Sequence, residues 1–294
     1  VFTSGAIQFF DLASGQPIPL EMPAQLKSRQ ITAMASGGGN APRLAVGTAD
    51  GEVLFLKVGT TTEFTDRGER RKRPHIRAGQ PIPLTKGPIV RLAYRANDHG
   101  SLLALLSKGG RLLVVRIAAD DVAGDHPIIT ELPQPRGTVT ALALDALLEN
   151  LYVGTADGQV VHVALSETES PEMRAAYTVA ASSTAVTTLG FLSGDRSLVV
   201  MTADGAVSTW GLVRRADAPS GWTLIQIHTL RAHNAPVTAF APSQRVKGFV
   251  TGDMKGNLFL HHATSSQTLL RLANSEFPIR AVAFAPKGDG LIAL

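Results

Sequence analysis

Short runs in which apolar residues alternate with small or polar ones recur along this chain. Ile31-Thr32-Ala33-Met34, Ile89-Val90-Arg91-Leu92-Ala93 and Val139-Thr140-Ala141-Leu142-Ala143-Leu144 are followed by Val186-Thr187-Thr188-Leu189, Val237-Thr238-Ala239-Phe240-Ala241 and Ile279-Arg280-Ala281-Val282-Ala283-Phe284. The period is that of a strand, not of a helix. A second marker is Thr48-Ala49-Asp50-Gly51, repeated as Thr155-Ala156-Asp157-Gly158 and Thr202-Ala203-Asp204-Gly205. Flanked by β-branched and apolar residues, it predicts a hairpin whose Asp-Gly pair supplies the left-handed backbone angles of a tight turn. Equivalent glycines at Gly5, Gly51, Gly110, Gly158, Gly205 and Gly256 are about 46, 59, 48, 47 and 51 residues apart, a spacing that suits repeated four-stranded units.

Each repeat reads as four strands, A to D. In the clearest one, A lies near Val186–Phe191, B near Leu198–Met201, C near Ala206–Val213 and D near Leu224–Leu230. Small residues on strand A suit an innermost strand crowded around an axis. Ser14-Gly15-Gln16-Pro17-Ile18-Pro19-Leu20 recurs as Ala78-Gly79-Gln80-Pro81-Ile82-Pro83-Leu84, and its prolines fit an outer edge strand. The expectation is all-β: one propeller domain over residues 1–294, with six or seven blades of four antiparallel strands and seven favoured in the parent protein. The end blades are incomplete, because the chain opens on a B–C turn with strands C and D and stops after A and B.

Composition narrows function more than fold. Hydrophobic residues make up 44%, and no apolar run approaches the roughly 18 residues of a membrane-spanning helix. The chain opens on Val1 without a charged leader, so it is expected to be a segment of a longer protein. Cysteine is absent, which removes disulfides, thiolate metal sites and cysteine nucleophiles. A net charge of +4 and 5% aromatics supply neither the basic face nor the stacking platforms of a nucleic-acid binder.

No residue pattern announces catalysis, so neither catalytic residues nor cofactor or metal ligands are assigned. His261 and His262 are neighbours on a strand and point to opposite faces, one expected to be packed and one solvated. His233 reads as a structural loop histidine, while His162 and His228 lie on strands without spaced partners. Ser36-Gly37-Gly38-Gly39-Asn40 lacks the Gly-Lys-Ser/Thr ending and following helix of a phosphate loop, and reads as an A–B hairpin loop. Asp120-Asp121 sit in a loop with nothing to raise a pKa, and Asp50, Asp157 and Asp204 are turn-formers. The longest repeat interval holds one insertion, Gly59–Gln80, with Arg67, Arg70, Arg71, Lys72, Arg73, His75 and Arg77. A solvated, mobile C–D loop is the plain expectation. The sharper one is a contact for an anion or an acidic partner through Arg67, Arg70, Arg71, Lys72, Arg73 and Arg77. B–C turns and D–A loops share one end of an antiparallel blade, so this insertion should lie on the face opposite the Asp-Gly turns.

Asp204-Gly205-Ala206-Val207-Ser208-Thr209-Trp210-Gly211-Leu212 resembles the strand-C signature of WD40 repeats. Ala232-His233 with Val237-Thr238-Ala239 resembles their Gly-His and strand-A segment, and Phe10-Asp11 stands in the place of the Trp-Asp pair. No repeat carries the whole signature, so the buried His–Asp hydrogen-bond network of that family is not an expectation here. Three segments in chain order, Ser4–Gly15, Arg245-Val246-Lys247-Gly248-Phe249 and Thr264–Leu270, resemble the large propeller domain of some proteobacterial phosphate ABC-transporter permeases. That resemblance implies a non-catalytic docking or regulatory platform for phosphate import, on the periplasmic side of the inner membrane. It also implies a tether through membrane segments outside this chain, with other importer subunits or the substrate-binding protein as partners. The face carrying the Asp-Gly turns would look toward the bilayer. A free-standing WD40-like interaction scaffold is the first alternative, and a propeller enzyme with its site at the channel mouth is the second.

Overall fold

The computed structural model describes residues 7–11, 15–38, 43–64, 66, 68, 70–118, 126–165, 173–218, 221–230, 233–243, 245–285 and 290–294. Contacts divide the chain into two units: residues 1–134 with 146–148 and 167–172, and residues 135–145, 149–166 and 173–294.

In the first unit, β1 (Phe9–Phe10) pairs with β2 (Pro17–Ile18) as a two-stranded sheet. After a 3-10 turn at Ala24–Leu26, β3 (Ile31–Ser36), β4 (Arg43–Thr48), β5 (Glu52–Phe64) and β6 (Arg70–Ala78) form an antiparallel sheet in that order. The short β7 (Ile82–Pro83) pairs with the start of β5. β8 (Ile89–Asn97), β9 (Gly100–Ser107), β10 (Leu112–Ala118) and β11 (Ile128–Leu132) form the next sheet, again in sequence order.

The second unit repeats the plan. Its sheets are β12 (Val139–Leu144), β13 (Asn150–Thr155), β14 (Gln159–Leu165) and β15 (Met173–Ala180), then β16 (Val186–Phe191), β17 (Ser197–Thr202), β18 (Val207–Arg214) and β19 (Trp222–Leu230). β20 (Val237–Pro242), β21 (Gly248–Asp253), β22 (Asn257–His262) and β23 (Thr268–Asn274) follow, and β24 (Val282–Phe284) with β25 (Leu291–Ala293) closes the chain. The described residues thus hold five sheets built on four strands, with a strand pair at each end, where the sequence suggested six or seven blades. The last A segment is shorter than expected: pairing begins at Val282, not Ile279.

One device joins successive sheets inside each unit. The first strand carries a bulge after its first residue, as at Ile31/Ala33, Val186/Thr188 and Val237/Ala239. The bulge turns a threonine hydroxyl onto the first strand of the next sheet. Thr32 donates to the Ile89 carbonyl at 2.6 Å, Thr187 to Val237 at 2.5 Å and Thr238 to Ile279 at 2.5 Å. Beside it, Ile89, Val186 and Ile279 pack onto glycines of the preceding sheet's second strand. A Cβ at Gly47, Gly154 or Gly252 would lie 2.8, 2.5 or 2.4 Å from those side chains. Ile89 and Val186 are fully buried, each worth about 1.5–3 kcal/mol. Small residues at these positions therefore record close approach between sheets.

The Thr-Ala-Asp-Gly segments do join second and third strands at matching corners of three sheets, but not with the expected backbone. Only the glycines are left-handed, with φ of 82°, 80° and 87° at Gly51, Gly158 and Gly205. Asp50, Asp157 and Asp204 do not share that conformation. The Gly51 N–H returns to the Thr48 carbonyl, and Gly158 and Gly205 repeat the bond, so each turn carries its left-handed residue after the bend. A side chain at Gly51 would strike the Thr85 carbonyl at 2.0 Å. The Gly51 carbonyl in turn accepts from Leu84 and Thr85. The incoming D–A connection is thereby bound to the B–C turn, at one end of its sheet.

Candidate functional site

The insertion is not a loop. β5 runs 13 residues and β6 returns beside it for nine, in unbroken register from Leu56↔Ala78 to Phe64↔Arg70. Thr60, Thr61 and Thr62 supply the β-branched residues that favour a paired strand. At about 3.4 Å per residue, β5 is roughly twice as long as the six-residue β3 and β4 beside it. Its outer half with β6 forms an arm, at the end of the sheet opposite the Thr48–Gly51 turn, as the chain topology requires.

Arg70, Lys72, Arg73 and Arg77 are exposed on this arm. Arg71 lies on β6 opposite Glu63 in the register, and Arg67 falls outside the described residues. Residues 57–78 contain seven Lys and Arg against three Asp and Glu, an excess equal to the whole chain's +4. The rest of the chain is therefore balanced, and its net field originates here. Arg73 reaches Glu63 at 3.5 Å with both side chains more than half exposed, a weak pairing.

Behind the arm, residues Leu20–Ala24 face Thr61, Glu63, Arg73 and His75 across a groove of about 440 Å³. The His75 ring lies over Gly59, where a Cβ would come within 2.6 Å of Nε2. Its Nδ1 is buried without a hydrogen-bond partner among the described residues. Ile76, one residue on, is buried with Leu20 and Met22 packed around its cluster. β6 is thus fixed to the core through Ile76, and Pro74 and Ile76 line the groove together with Arg73 and His75.

The buried histidines of the second unit are structural. His233, on the β19–β20 connection, is buried and places Nδ1 2.8 Å from Asp253 and Nε2 2.6 Å from the Thr251 hydroxyl. The same hydroxyl lies 2.7 Å from Nε2 of His261, whose Nδ1 meets Thr268 at 3.0 Å. Asp253 also accepts from the backbones of Lys255 and Asn257 and from the Asn257 amide. A carboxylate can only accept, so one proton order satisfies the set. Thr268 donates to His261, His261 to Thr251, Thr251 to His233, and His233 to Asp253.

Burial holds both imidazoles neutral. It lowers His261 to about 4, aided by the neighbouring His233, and it lowers His233 despite Asp253. Burial also pushes Asp253 upward, but hydrogen bonds from His233 and Asn257 outweigh it and hold the carboxyl low.

This His–Asp network was not expected from the incomplete repeat signature, and it is present in one sheet. His261 occupies the position after Gly256 that Trp210 holds after Gly205. That alignment was the available signal. Trp210 itself bonds to Ser208 at 2.8 Å, because Val200 stands where Thr251 would be.

His262 is half-buried, its Nδ1 3.3 Å from Thr264, so the adjacent pair divides as its strand alternation requires. His162 is buried by Tyr152 and bonds to Asn150 at 2.7 Å, with burial lowering its pKa to about 4. His228 is half-buried on β19. Among the described residues no three His, Cys, Asp or Glu side chains are grouped to hold a metal ion. Ser36–Gly38 lead into the β3–β4 hairpin, while Gly39-Asn40 and Asp120-Asp121 lie outside the described residues.

No protein-family profile and no curated protein matches the chain. Solved structures do. The β-propeller domain of Cps50 (Swd1) from Myceliophteria thermophila superposes with a TM-score of 0.65 at 16% identity, covering 97% of this chain and 85% of that one. The fold is a WD40-like β-propeller. A chain of the mitotic checkpoint complex matches this propeller with a TM-score of 0.64 at 16% identity, over 98% and 80% of the two chains. Chaetomium thermophilum Sqt1, bound to the N-terminus of ribosomal protein L10, matches it with a TM-score of 0.61 at 16% identity, over 94% and 69%. At these identities the propellers share a fold, and function must be argued from this chain's own residues.

Proposed function

We propose that this propeller is a non-catalytic platform for protein docking, with the β5–β6 arm as its contact element. The observation that carries the reading is the concentration of the chain's whole net charge on one paired, core-anchored arm. Complementary charge raises encounter rate and fixes orientation. Arg67, Arg70, Arg71, Lys72, Arg73 and Arg77 would meet an acidic surface.

In its finer form, the platform is the periplasmic domain of a phosphate-importer permease, tethered by membrane segments outside this chain. The arm is then presented to the substrate-binding protein or another importer subunit. Support for this form is the resemblance of residues 4–15, 245–249 and 264–270 to the propeller domain of such permeases. The arm's place opposite the Thr48–Gly51 turn agrees with it, since a flanking membrane would lie on the turn side.

The test is binding of the purified chain to the importer's substrate-binding protein across a salt series. Affinity should fall as salt rises, and reversing Arg70, Lys72, Arg73 and Arg77 to Glu should abolish it without lowering the melting temperature. No binding at low salt would overturn the finer form. The alternative is a free-standing interaction scaffold, favoured by neighbours of this fold solved in a checkpoint complex and with a ribosomal-protein peptide.

A further inference from the structure

We propose that the outer edge of β19 pairs with the same strand of a second copy of this chain, antiparallel about a two-fold axis at Gln226. The inference is independent of the arm, which belongs to the other unit.

An outer strand presents a row of unpaired N–H and C=O groups, and proteins guard such edges with charge or proline. Four of the outer strands here are guarded. β6 is arginine-rich and contains Pro74, while Glu131, Arg174 and Arg271 stand on β11, β15 and β23. β19 also ends its sheet among the described residues, yet Trp222–Leu230 holds no Asp, Glu, Lys, Arg or Pro. Trp222, Ile225 and Ile227 on it are 41, 45 and 52% exposed. The two isoleucines share the face of Gly211. Ile225 is its partner in the register, and a Cβ at Gly211 would fall 3.0 Å from Cδ1 of Ile227.

The order of residues along this edge selects the occupant. Outward from Gln226 the strand is nearly the same in both directions: Ile225 and Ile227, Leu224 and His228, Thr223 and Thr229, Trp222 and Leu230. Two antiparallel copies centred on Gln226 set Ile against Ile and Thr against Thr, pairs that stabilise a ladder, with no like charges opposed. A two-fold axis requires such self-matching, since each surface must be its own complement. An extended partner of unrelated sequence requires none. β23 makes the contrast, because its central residue is Arg271, which the same arrangement would set against itself. The bulge that leaves Ile227 without a partner on β18 lies one residue from Gln226, so both copies bend at the same place and the symmetry is kept. The Gln226 amide, which donates to the Thr229 hydroxyl, would stand opposite its own copy.

A strand pair is a small interface, at the low end of the roughly 1,200–2,000 Å² of stable complexes. The dimer should therefore be weak, with a Kd on the order of 10–100 μM. Sedimentation velocity of the purified chain across a concentration series reads the association, and hydrogen exchange reads the β19 amides. Mass should rise toward that of two chains as the amides of Trp222–Leu230 gain protection. Gln226→Lys and Gln226→Glu should each raise the Kd about fivefold at low salt, and an equimolar mixture of the two should restore association to the parent's strength. Gln226 is exposed, so neither change should move the melting temperature. Ile227→Lys should leave a monomer at every concentration. A parent chain that stays monomeric throughout overturns the proposal, as does a dimer equally strong in Gln226→Lys. A monomer that instead binds a labelled peptide of alternating Val and Thr would make β19 an edge for extended polypeptides, and would overturn pairing between copies.

Discussion

His75 and His261 are both imidazoles on strands, and the fold treats them in opposite ways. His261 is fully buried in a chain of hydrogen bonds that runs from Thr268 through Thr251 and His233 to Asp253, every link between 2.6 and 3.0 Å. His75 is seated as closely, over Gly59, yet its buried Nδ1 has no partner among the described residues. A closed network specifies structure and has no capacity left for a ligand. A ring at the margin of the core, on an exposed basic arm, has little structural duty. The two should therefore separate by experiment: changes at the first act on stability, and changes at the second act on binding.

The largest effect should come from Asp253→Ala. It leaves the donors of His233, Lys255 and Asn257 without their acceptor, a loss of about 1–3 kcal/mol for each donor left unsatisfied. Urea unfolding would register it as a lower midpoint. Arg73→Gln, on the exposed arm, should stay within about 0.5 kcal/mol of the parent chain. Equal losses for the two variants would erase the distinction.

Acid should separate the sites next. An unfolded histidine titrates near 6.5, whereas His261 is held at about 4 in the fold. Above pH 6.5 both states are neutral and the shift has no effect. Between 6.5 and 4 the unfolded chain takes up a proton that the fold refuses, so stability falls as pH falls. At roughly 1.4 kcal/mol per unit, the loss approaches about 3 kcal/mol by pH 4. His162, also at about 4, adds a decline of the same sign. His261→Gln keeps an N–H donor without a titrating proton, so its stability should vary less between pH 7.5 and 4.5. An unchanged slope would remove His261 from the account.

How much of this the sequence disclosed depends on whether the cause was local. The sheet of β16 to β19 was legible almost to the residue, because alternation and turn chemistry are written in neighbouring positions. The end strands were less so, since pairing over two or three residues leaves little pattern. The His233–Asp253 network was missed because it joins a loop, a second strand and a third strand, with histidine where the repeat signature carries tryptophan. In the sequence the arm shows as charge within an insertion between strands C and D, and an insertion there implies a solvated loop. The register with Thr60–Thr62 and burial of Ile76 decide the matter. The groove was not legible at all: it needs Leu20–Ala24 brought against β6, and no spacing in the chain states that.

Gly59→Ala probes the open site from beneath. The added methyl falls 2.6 Å from Nε2 of His75, so the ring must leave its seat. The unfolding midpoint should barely move, because the ring is at the margin of the core, while affinity for an acidic partner that docks on the arm should drop about threefold to tenfold. Unaltered affinity would mean that the ring's position is immaterial to the arm.

The smallest effect is also the one whose sign is most informative. Arg77 faces Lys57 directly across the β5–β6 ladder, and like charges in that relation repel. Arg77→Gln removes the repulsion, so the melting temperature should stay level or rise by about 1–2 °C. A residue kept for folding would give the reverse. The same change should slow association with an acidic partner about twofold to threefold at low salt, with the difference vanishing as the Debye length shrinks below about 8 Å. A variant that melts higher and docks more slowly identifies a charge retained against the interest of the fold. One that melts lower assigns Arg77 to the scaffold and confines the docking surface to Arg73 and the outer residues of the arm.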